Sequence, residues 1–155
     1  MKKFLIALAA LTSMSVNAGE NQSLHEFMVK NYDWKQDSSN IVHVGTRCAT
    51  VMDAAVWRLS SDNRSNSKSL ADQYKSFGDV YLYSTAPLAQ KINYSTDGYI
   101  KLYKYWMDTY KLMAEENAIK YNDFFHGMLG EDFMICGDKQ NFSFYKSMLE
   151  NSARK

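Results

Sequence analysis

Apolar residues recur every three or four positions along most of the chain, a spacing that predicts amphipathic helices. The clearest run extends from Asn40 to about Leu59, and one side of its helical wheel carries Ile41, Val44, Cys48, Met52, Ala55, Val56 and Leu59. The other side carries His43, Thr46, Arg47, Thr50, Asp53 and Arg58. This pattern predicts a helix with one side in the core and one side in solvent. Gly45 and Ala49 would let a second helix approach it closely.

A second helix is predicted after the polar loop at 60–69. Ser67 or Ser69 can cap its first turn, and its apolar ridge at helical spacing consists of Leu70, Tyr74, Phe77 and Tyr81. Because proline cannot continue a helix, Pro87 predicts that this helix ends near Thr85.

The stretch YIKLYKYWMDTYKLM (99–113) predicts a third long helix, capped by Ser95 or Thr96. Its apolar arc of about 140° collects Tyr99, Leu102, Tyr103, Trp106, Met107, Tyr110 and Met113. The phase fails after about Glu115, since Asn117 would fall on the apolar side and Ile119 on the charged side. This break predicts a kink or turn at 116–118 and a new helix that runs through Met128.

Shorter signals complete the fold prediction. A short helix is expected from Leu24 to Val29, and Asp138 is expected to cap a last helix directly after Gly137. No segment shows the strict alternation of a half-buried strand. The sequence therefore predicts an all-α fold, an irregular bundle of four to five helices in one domain that spans residues 19–155.

The first 18 residues read as an export signal. Lys2 and Lys3 precede the apolar run Phe4–Leu11, and the small-residue site at 16–18 predicts cleavage before Gly19. An apolar run of this length is far below the roughly 20 residues that span a bilayer. We therefore expect residues 1–18 to be a signal peptide, and the mature protein of 137 residues to be periplasmic or secreted.

Two cysteines, Cys48 and Cys136, remain in the mature chain. In an oxidising compartment, such a pair without metal-ligand spacing predicts one disulfide. Because Cys48 falls near the middle of an apolar arc, we expect a buried structural link and not a reactive thiol pair.

The charge balance argues against several classes of partner. Loss of Lys2 and Lys3 with the leader leaves 16 basic and 17 acidic residues, a formal net charge of −1. No basic run would attract phosphates, so neither a nucleic-acid partner nor binding to an anionic membrane is expected. The short apolar run and the lack of a cysteine at the cleavage point predict that the protein has no membrane anchor. The oligomeric state stays open.

Two sets of mostly aromatic residues suggest how the protein could work. Trp57, Tyr105 and Leu112 fall on or beside the polar sides of their helices, and an exposed apolar patch of this kind is typical of a partner surface. Alternatively, four aromatic residues could line a ligand pocket between helices: Tyr74, Tyr99, Tyr103 and Trp106.

Evidence for catalysis is weak in this sequence. His43 lies four residues from Arg47 on a polar helix face, which is typical of a solvated surface. His126 has Asp123, Glu131 and Asp132 nearby in sequence, but the spacing matches no known metal helix. We expect no cofactor. The leading hypothesis is an exported, non-enzymatic protein that binds another protein; the alternatives are a carrier of a small apolar or aromatic ligand, or a small metal-dependent enzyme.

Overall fold

A computed structural model describes residues 22–61 and 66–154 of the chain. Over these residues the fold is all-α, as predicted, with six α-helices and one short 3-10 turn at Trp34–Gln36. The helices are α1 (Leu24–Lys30), α2 (Ser38–Ser60), α3 (Ser67–Lys91), α4 (Thr96–Tyr121), α5 (Gly127–Gly137) and α6 (Lys139–Ser152). None of them is long and apolar enough to cross a membrane. The predicted signal peptide, residues 1–18, lies outside the described residues.

Helix α2 occupies the centre of the bundle and packs against α3, α4 and α5. The prediction that its polar side faces solvent is wrong, because Thr46, Arg47 and Thr50 are all fully buried. The two threonines satisfy their hydroxyls within the helix, where Thr46 donates to the carbonyl of Val42 at 2.7 Å and Thr50 to that of Thr46 at 3.0 Å. A hydroxyl bonded in this way can enter a core at little cost.

Gly45 allows its neighbours to approach α2 closely, as the sequence predicts. A side chain at this position would meet the methyl group of Thr85 on α3 and would lie 2.6 Å from Cε1 of Tyr145 on α6. The Tyr145 hydroxyl crosses the same contact and donates to the carbonyl of Ile41 at 2.7 Å. The absence of a side chain at Gly45 therefore lets both α3 and α6 reach the central helix.

The predicted end of the second helix near Thr85 is wrong. Helix α3 continues to Lys91 with Pro87 inside it. Proline removes one backbone donor, which leaves the carbonyl four residues earlier, at Tyr83, without its helical partner. Pro87 and Tyr83 both lie on the exposed side of α3, where water can supply the missing hydrogen bond.

The predicted kink at 116–118 is also wrong, since α4 runs without a break to Tyr121. Asn117, which falls on the apolar side, reaches past the helix end and donates to the carbonyls of Phe124 at 3.0 Å and His126 at 2.9 Å. Asn122 then ends α4 in the left-handed conformation, with φ of 51°. The predicted helix through Met128 is replaced by a connection and by α5, which starts at Gly127.

The predicted disulfide is confirmed and joins α2 to the end of α5. Cys48 and Cys136 are both fully buried, with their Cα atoms 5.2 Å apart. Their separation of 88 residues implies about 4–5 kcal/mol of stabilisation in the loop-entropy account. Asp138 caps α6 as predicted, since its carboxylate accepts the backbone N–H groups of Gln140 and Asn141.

Candidate functional site

A buried ion pair lies at the centre of the bundle. Arg47 of α2 and Asp132 of α5 have side chains with no exposed surface, and the guanidinium Nη2 donates to Oδ2 of the carboxylate. Tyr110 of α4 joins the pair: its hydroxyl accepts from Arg47 Nε at 3.0 Å and donates to the same Oδ2. Three helices thus meet at one charged cluster.

The segment that leads into α1 completes this cluster. The backbone N–H of Leu24 donates to Asp132 Oδ1 at 2.6 Å, and the carbonyl of Gln22 accepts from Arg47 Nη1 at 3.0 Å. A buried pair of charges is tolerated only when its remaining donors and acceptors are satisfied, and here the backbone supplies both missing partners. The start of the described chain is therefore tied to α2 and α5 through the pair.

Trp106 covers one face of the Arg47 guanidinium, and His43 packs on Trp106. The guanidinium carbon lies 3.9 Å from the centroid of the Trp106 ring, a cation–π contact. The His43 ring stands edge-on to Trp106 at 6.0 Å and packs on Phe27 of α1 at 4.4 Å. Burial, together with the nearby charge of Arg47, lowers the pKa of His43 to about 4. His43 is thus neutral at pH 7, and it is not part of a solvated face.

The charges and hydrogen bonds of the cluster indicate that it stabilises the fold. Burial raises the pKa of Asp132, and the Arg47 charge opposes this shift together with hydrogen bonds from Tyr110 and Leu24. All three neighbours donate to the carboxyl oxygens, which is the geometry of an ionised carboxylate. Burial also raises the pKa of Tyr110 well above its usual range, so this hydroxyl stays protonated. No oxygen of Asp132 is left to act on a substrate.

Each residue of the predicted ligand pocket contacts its own partner. The Tyr99 hydroxyl lies 2.8 Å from Oγ1 of Thr85, and Tyr103 donates to Asp53. The Tyr74 ring packs edge-on against Phe133 of α5 at 5.2 Å, while Trp106 lies in the core against Arg47. Tyr99 and Tyr103 lie one turn apart on α4, but Tyr74 and Trp106 point to different parts of the bundle.

Two open grooves of the described chain have walls that include none of these four residues. One, of about 670 Å³, runs between α3 and α6 beside Tyr83, Pro87 and Met148. The other, of about 750 Å³, lies beside α1 and α5, with His25 and Glu131 at its polar side. Its apolar walls are formed by Phe125, Phe133, Met134 and Ile135.

The predicted partner surface divides into two parts. Tyr105 and Leu112 are exposed on the outer side of α4, at 37% and 57% of their surfaces, and Ile119 continues the same line at 88%. Residues seven apart stay on one side of a helix, so these three lie in one line along α4, here named the α4 outer stripe, with exposed Asp108, Glu115 and Glu116 between them. Trp57 is half-buried on α2, where the Lys111 amine lies 5.7 Å from its ring centroid. Its contact with α4 is at Lys111, and it is not part of the stripe.

The histidine-centred metal site is not assembled. His126 stacks on Tyr121 at 3.8 Å, Asp123 caps its own turn by accepting from the N–H of Phe125, and Asp132 belongs to the buried pair. Within residues 22–61 and 66–154, no group of three His, Cys, Asp or Glu side chains is placed to hold a metal ion.

The buried pair was not foreseen from the sequence, although one signal pointed towards it. Between residues 41 and 56, α2 carries just three ionisable side chains besides its cysteine: His43, Arg47 and Asp53. A helix with so few charges is apolar nearly all round, which is typical of a helix buried on every side. An arginine in such a helix needs a buried acid, but the sequence does not say which one.

Comparison of the chain with protein-family models, with curated proteins and with solved structures finds no match. The molecule is therefore described by its own features: an all-α bundle, one buried disulfide, one buried ion pair and an apolar line on α4.

Replacement of Asp132 by Asn should destabilise the protein by about 3–5 kcal/mol, because it leaves the Arg47 charge buried without a counter-charge. Replacement of the whole pair, Arg47→Met with Asp132→Leu, should cost less than the single change, since no unpaired charge remains. Urea unfolding followed by circular dichroism measures both free energies.

Asp108→Asn provides the matched control for this series. Asp108 also accepts from a cation, Lys104 at 2.6 Å, but 61% of its side chain is exposed. Its loss should change stability by no more than about 0.5 kcal/mol. Equal losses in Asp132→Asn and Asp108→Asn would contradict a structural role for the buried pair.

The free energy of unfolding should fall as the pH drops from 6.5 towards 4, because of His43. Because the fold lowers the pKa of His43, the unfolded chain takes up a proton there at a higher pH than the folded protein does. The contribution of neutral His43 to the free energy of unfolding is therefore fully present above pH 6.5 and is lost as the pH falls from 6.5 to about 4. The size of the shift implies a loss of about 3 kcal/mol. Urea titrations at about pH 7, 5.5 and 4 measure this loss in the free energy of unfolding.

The comparison variant is His43→Gln, which cannot titrate. Burial raises the pKa values of Asp53 and Asp132, so these two groups favour the folded state as the pH falls, opposite to His43. They do so in the wild type and in the variant alike. The difference between wild type and variant therefore isolates His43. The assignment is wrong if both proteins lose the same free energy between pH 7 and pH 4.

Proposed function

We propose that the protein is exported to the periplasm, or secreted, and acts there by binding another protein. The observation that carries this proposal is the α4 outer stripe, where Tyr105, Leu112 and Ile119 are exposed in one line. Scattered exposed apolar residues are normal, but a line of three on one helix is typical of a contact surface. A tyrosine beside aliphatic side chains is a common centre of such surfaces.

Export is supported by two independent features. The first 18 residues carry the charge, apolar run and small-residue site of a signal peptide. A disulfide such as Cys48–Cys136 forms and persists mainly in oxidising compartments, which is compatible with export.

A role in binding also agrees with the use of the polar side chains. Arg47, Asp132 and Tyr110 bind one another in the core, and His43 is half-buried and neutral at pH 7. These are the groups from which an active site could have been built, and here they stabilise the bundle. The exposed helix side is left for recognition.

The carrier hypothesis keeps one specific supporting observation. The groove beside α1 and α5 has a volume within the range of about 300–1,000 Å³ that small-molecule sites occupy. Its walls include Phe125 and Phe133, and it does not involve Tyr99, Tyr103 or Trp106. A ligand in this groove would occupy a site different from the pocket that the sequence predicts.

Capture of a partner from an extract of exported proteins tests the proposal. The bait is the exported protein, immobilised as wild type, Tyr105→Ala or Leu112→Ala. Truncation of an anchor residue at the centre of an interface should weaken capture at least about tenfold. Mass spectrometry and serial dilution of the eluate give the identity and the affinity of the captured protein.

Two further baits act as controls. Tyr83→Ala removes an aromatic ring that is 58% exposed on α3, and His126→Ala removes a histidine from the connection before α5. Both should capture as wild type does. Loss of capture with His126→Ala alone would contradict a stripe-based interface, and co-purification of a small molecule without any protein would favour the carrier.

A further inference from the structure

The α4 outer stripe is flanked by charges of opposite sign at its two ends. Lys101 and Lys104 lie in the N-terminal half of α4, and Glu115 and Glu116 lie in its C-terminal half. All four residues are exposed. Asp97 in the first turn of α4 and Lys120 in its last turn are also exposed and have the reverse signs. Two lysines and one aspartate leave the N-terminal end with a net charge of +1, and two glutamates and one lysine leave the C-terminal end with −1. This arrangement is complementary to a reversed copy of itself.

A two-fold axis that crosses α4 close to Thr109 would place a second copy of the helix alongside in antiparallel orientation. In such a symmetric contact the same patch is used by both chains. Tyr105 and Leu112 are about equally far from this axis, so each would pack against the other across it. By the same symmetry, Lys101 of one copy lies opposite Glu116 of the other, and Lys104 of one copy lies close to Glu115 of the other.

The residues at the centre and at the ends of this pairing also fit it. Asp108 lies near the axis, where two like charges would meet, and Lys104 of its own chain neutralises it at 2.6 Å. Ile119 would lie over Gly98 of the other copy, which has no side chain to obstruct it. A parallel pairing would instead set lysine against lysine and glutamate against glutamate, and like charges across a contact oppose association.

We propose that the partner of the α4 outer stripe is a second copy of this chain, held in an antiparallel α4–α4 pair. This inference rests on the proposed function and identifies the protein that the stripe binds. Lysines and glutamates at the two ends set the direction of the pair, while Tyr105, Leu112 and Ile119 supply its apolar contact.

The pair should be weak and sensitive to salt. One helix side against another gives an interface below the roughly 1,200 Å² of total area at which stable complexes begin. The dissociation constant is therefore expected in the micromolar range. Its ionic contacts are exposed, so added salt should weaken the pair through screening.

Sedimentation equilibrium of the purified exported protein at low salt tests the proposal. Lys101→Glu with Lys104→Glu makes both ends of the stripe acidic and should weaken self-association at least tenfold. Glu115→Lys with Glu116→Lys should weaken it to a similar degree. A fourfold variant with all these changes has its charges exchanged end for end; it is made together with Asp108→Asn, because Lys104 no longer neutralises Asp108, and it should associate as wild type does.

The rescue by the fourfold variant separates an antiparallel contact from a general charge effect. Lys139→Glu with Lys146→Glu makes the same change in net charge on α6 and should leave association unchanged. Circular dichroism confirms that each variant keeps its helices. The pairing is refuted if the wild type stays monomeric at millimolar concentration, or if the fourfold variant associates no better than the double variants.

The outcome also separates this inference from the proposed function. A wild type that stays monomeric, while Tyr105→Ala and Leu112→Ala lose a captured protein, would refute the self-pairing and support a different partner on the same stripe. Self-association that the Tyr105 and Leu112 variants leave unchanged would refute the α4–α4 pair alone, and unchanged capture of a partner by the same two variants would refute the proposed function.

Discussion

The buried ion pair between Arg47 and Asp132 connects four helices of the bundle, α1, α2, α4 and α5. Removal of two charges from water costs several kcal/mol for each ion, and that cost is offset only by a complete set of hydrogen bonds. Here each nitrogen of the Arg47 guanidinium and each oxygen of Asp132 has a partner, supplied within the pair, by Tyr110, by the N–H of Leu24 and by the carbonyl of Gln22. The pair therefore fixes the relative positions of α1, α2, α4 and α5, and the disulfide from Cys48 adds a second link between α2 and α5.

The same constraint decides which side of α4 faces outwards. Tyr110 must point at the ion pair, and Trp106, one turn earlier, must cover the Arg47 guanidinium. With this side of the helix fixed inwards, Tyr105 and Leu112 are left on the opposite side, where they are exposed. The surface that we propose for recognition is thus a direct consequence of how the core satisfies its buried charges.

Local signals predicted the helices and the disulfide well, but they failed where distant residues decide the outcome. The period of α2, the cap at Asp138 and the burial of Cys48 follow from neighbours in sequence. Whether Pro87 ends a helix depends on whether the carbonyl it leaves unpaired can reach water, and Asn117 is explained by carbonyls beyond the helix end. The helical wheel alone predicts a solvated face for Arg47, because the partner that allows its burial lies 85 residues away in sequence.

The amide hydrogen of Leu24 offers the most direct test of this account. It belongs to the first turn of a seven-residue helix, where amides normally exchange with solvent almost freely, yet it donates to buried Asp132. Native-state hydrogen exchange followed by nuclear magnetic resonance gives its free energy of opening. The account predicts a value close to that of Val51 in the centre of α2, and far above that of Ser39, whose N–H donates to the exposed cap Asp37. Exchange of Leu24 as fast as that of Ser39 would contradict the central role of the buried pair.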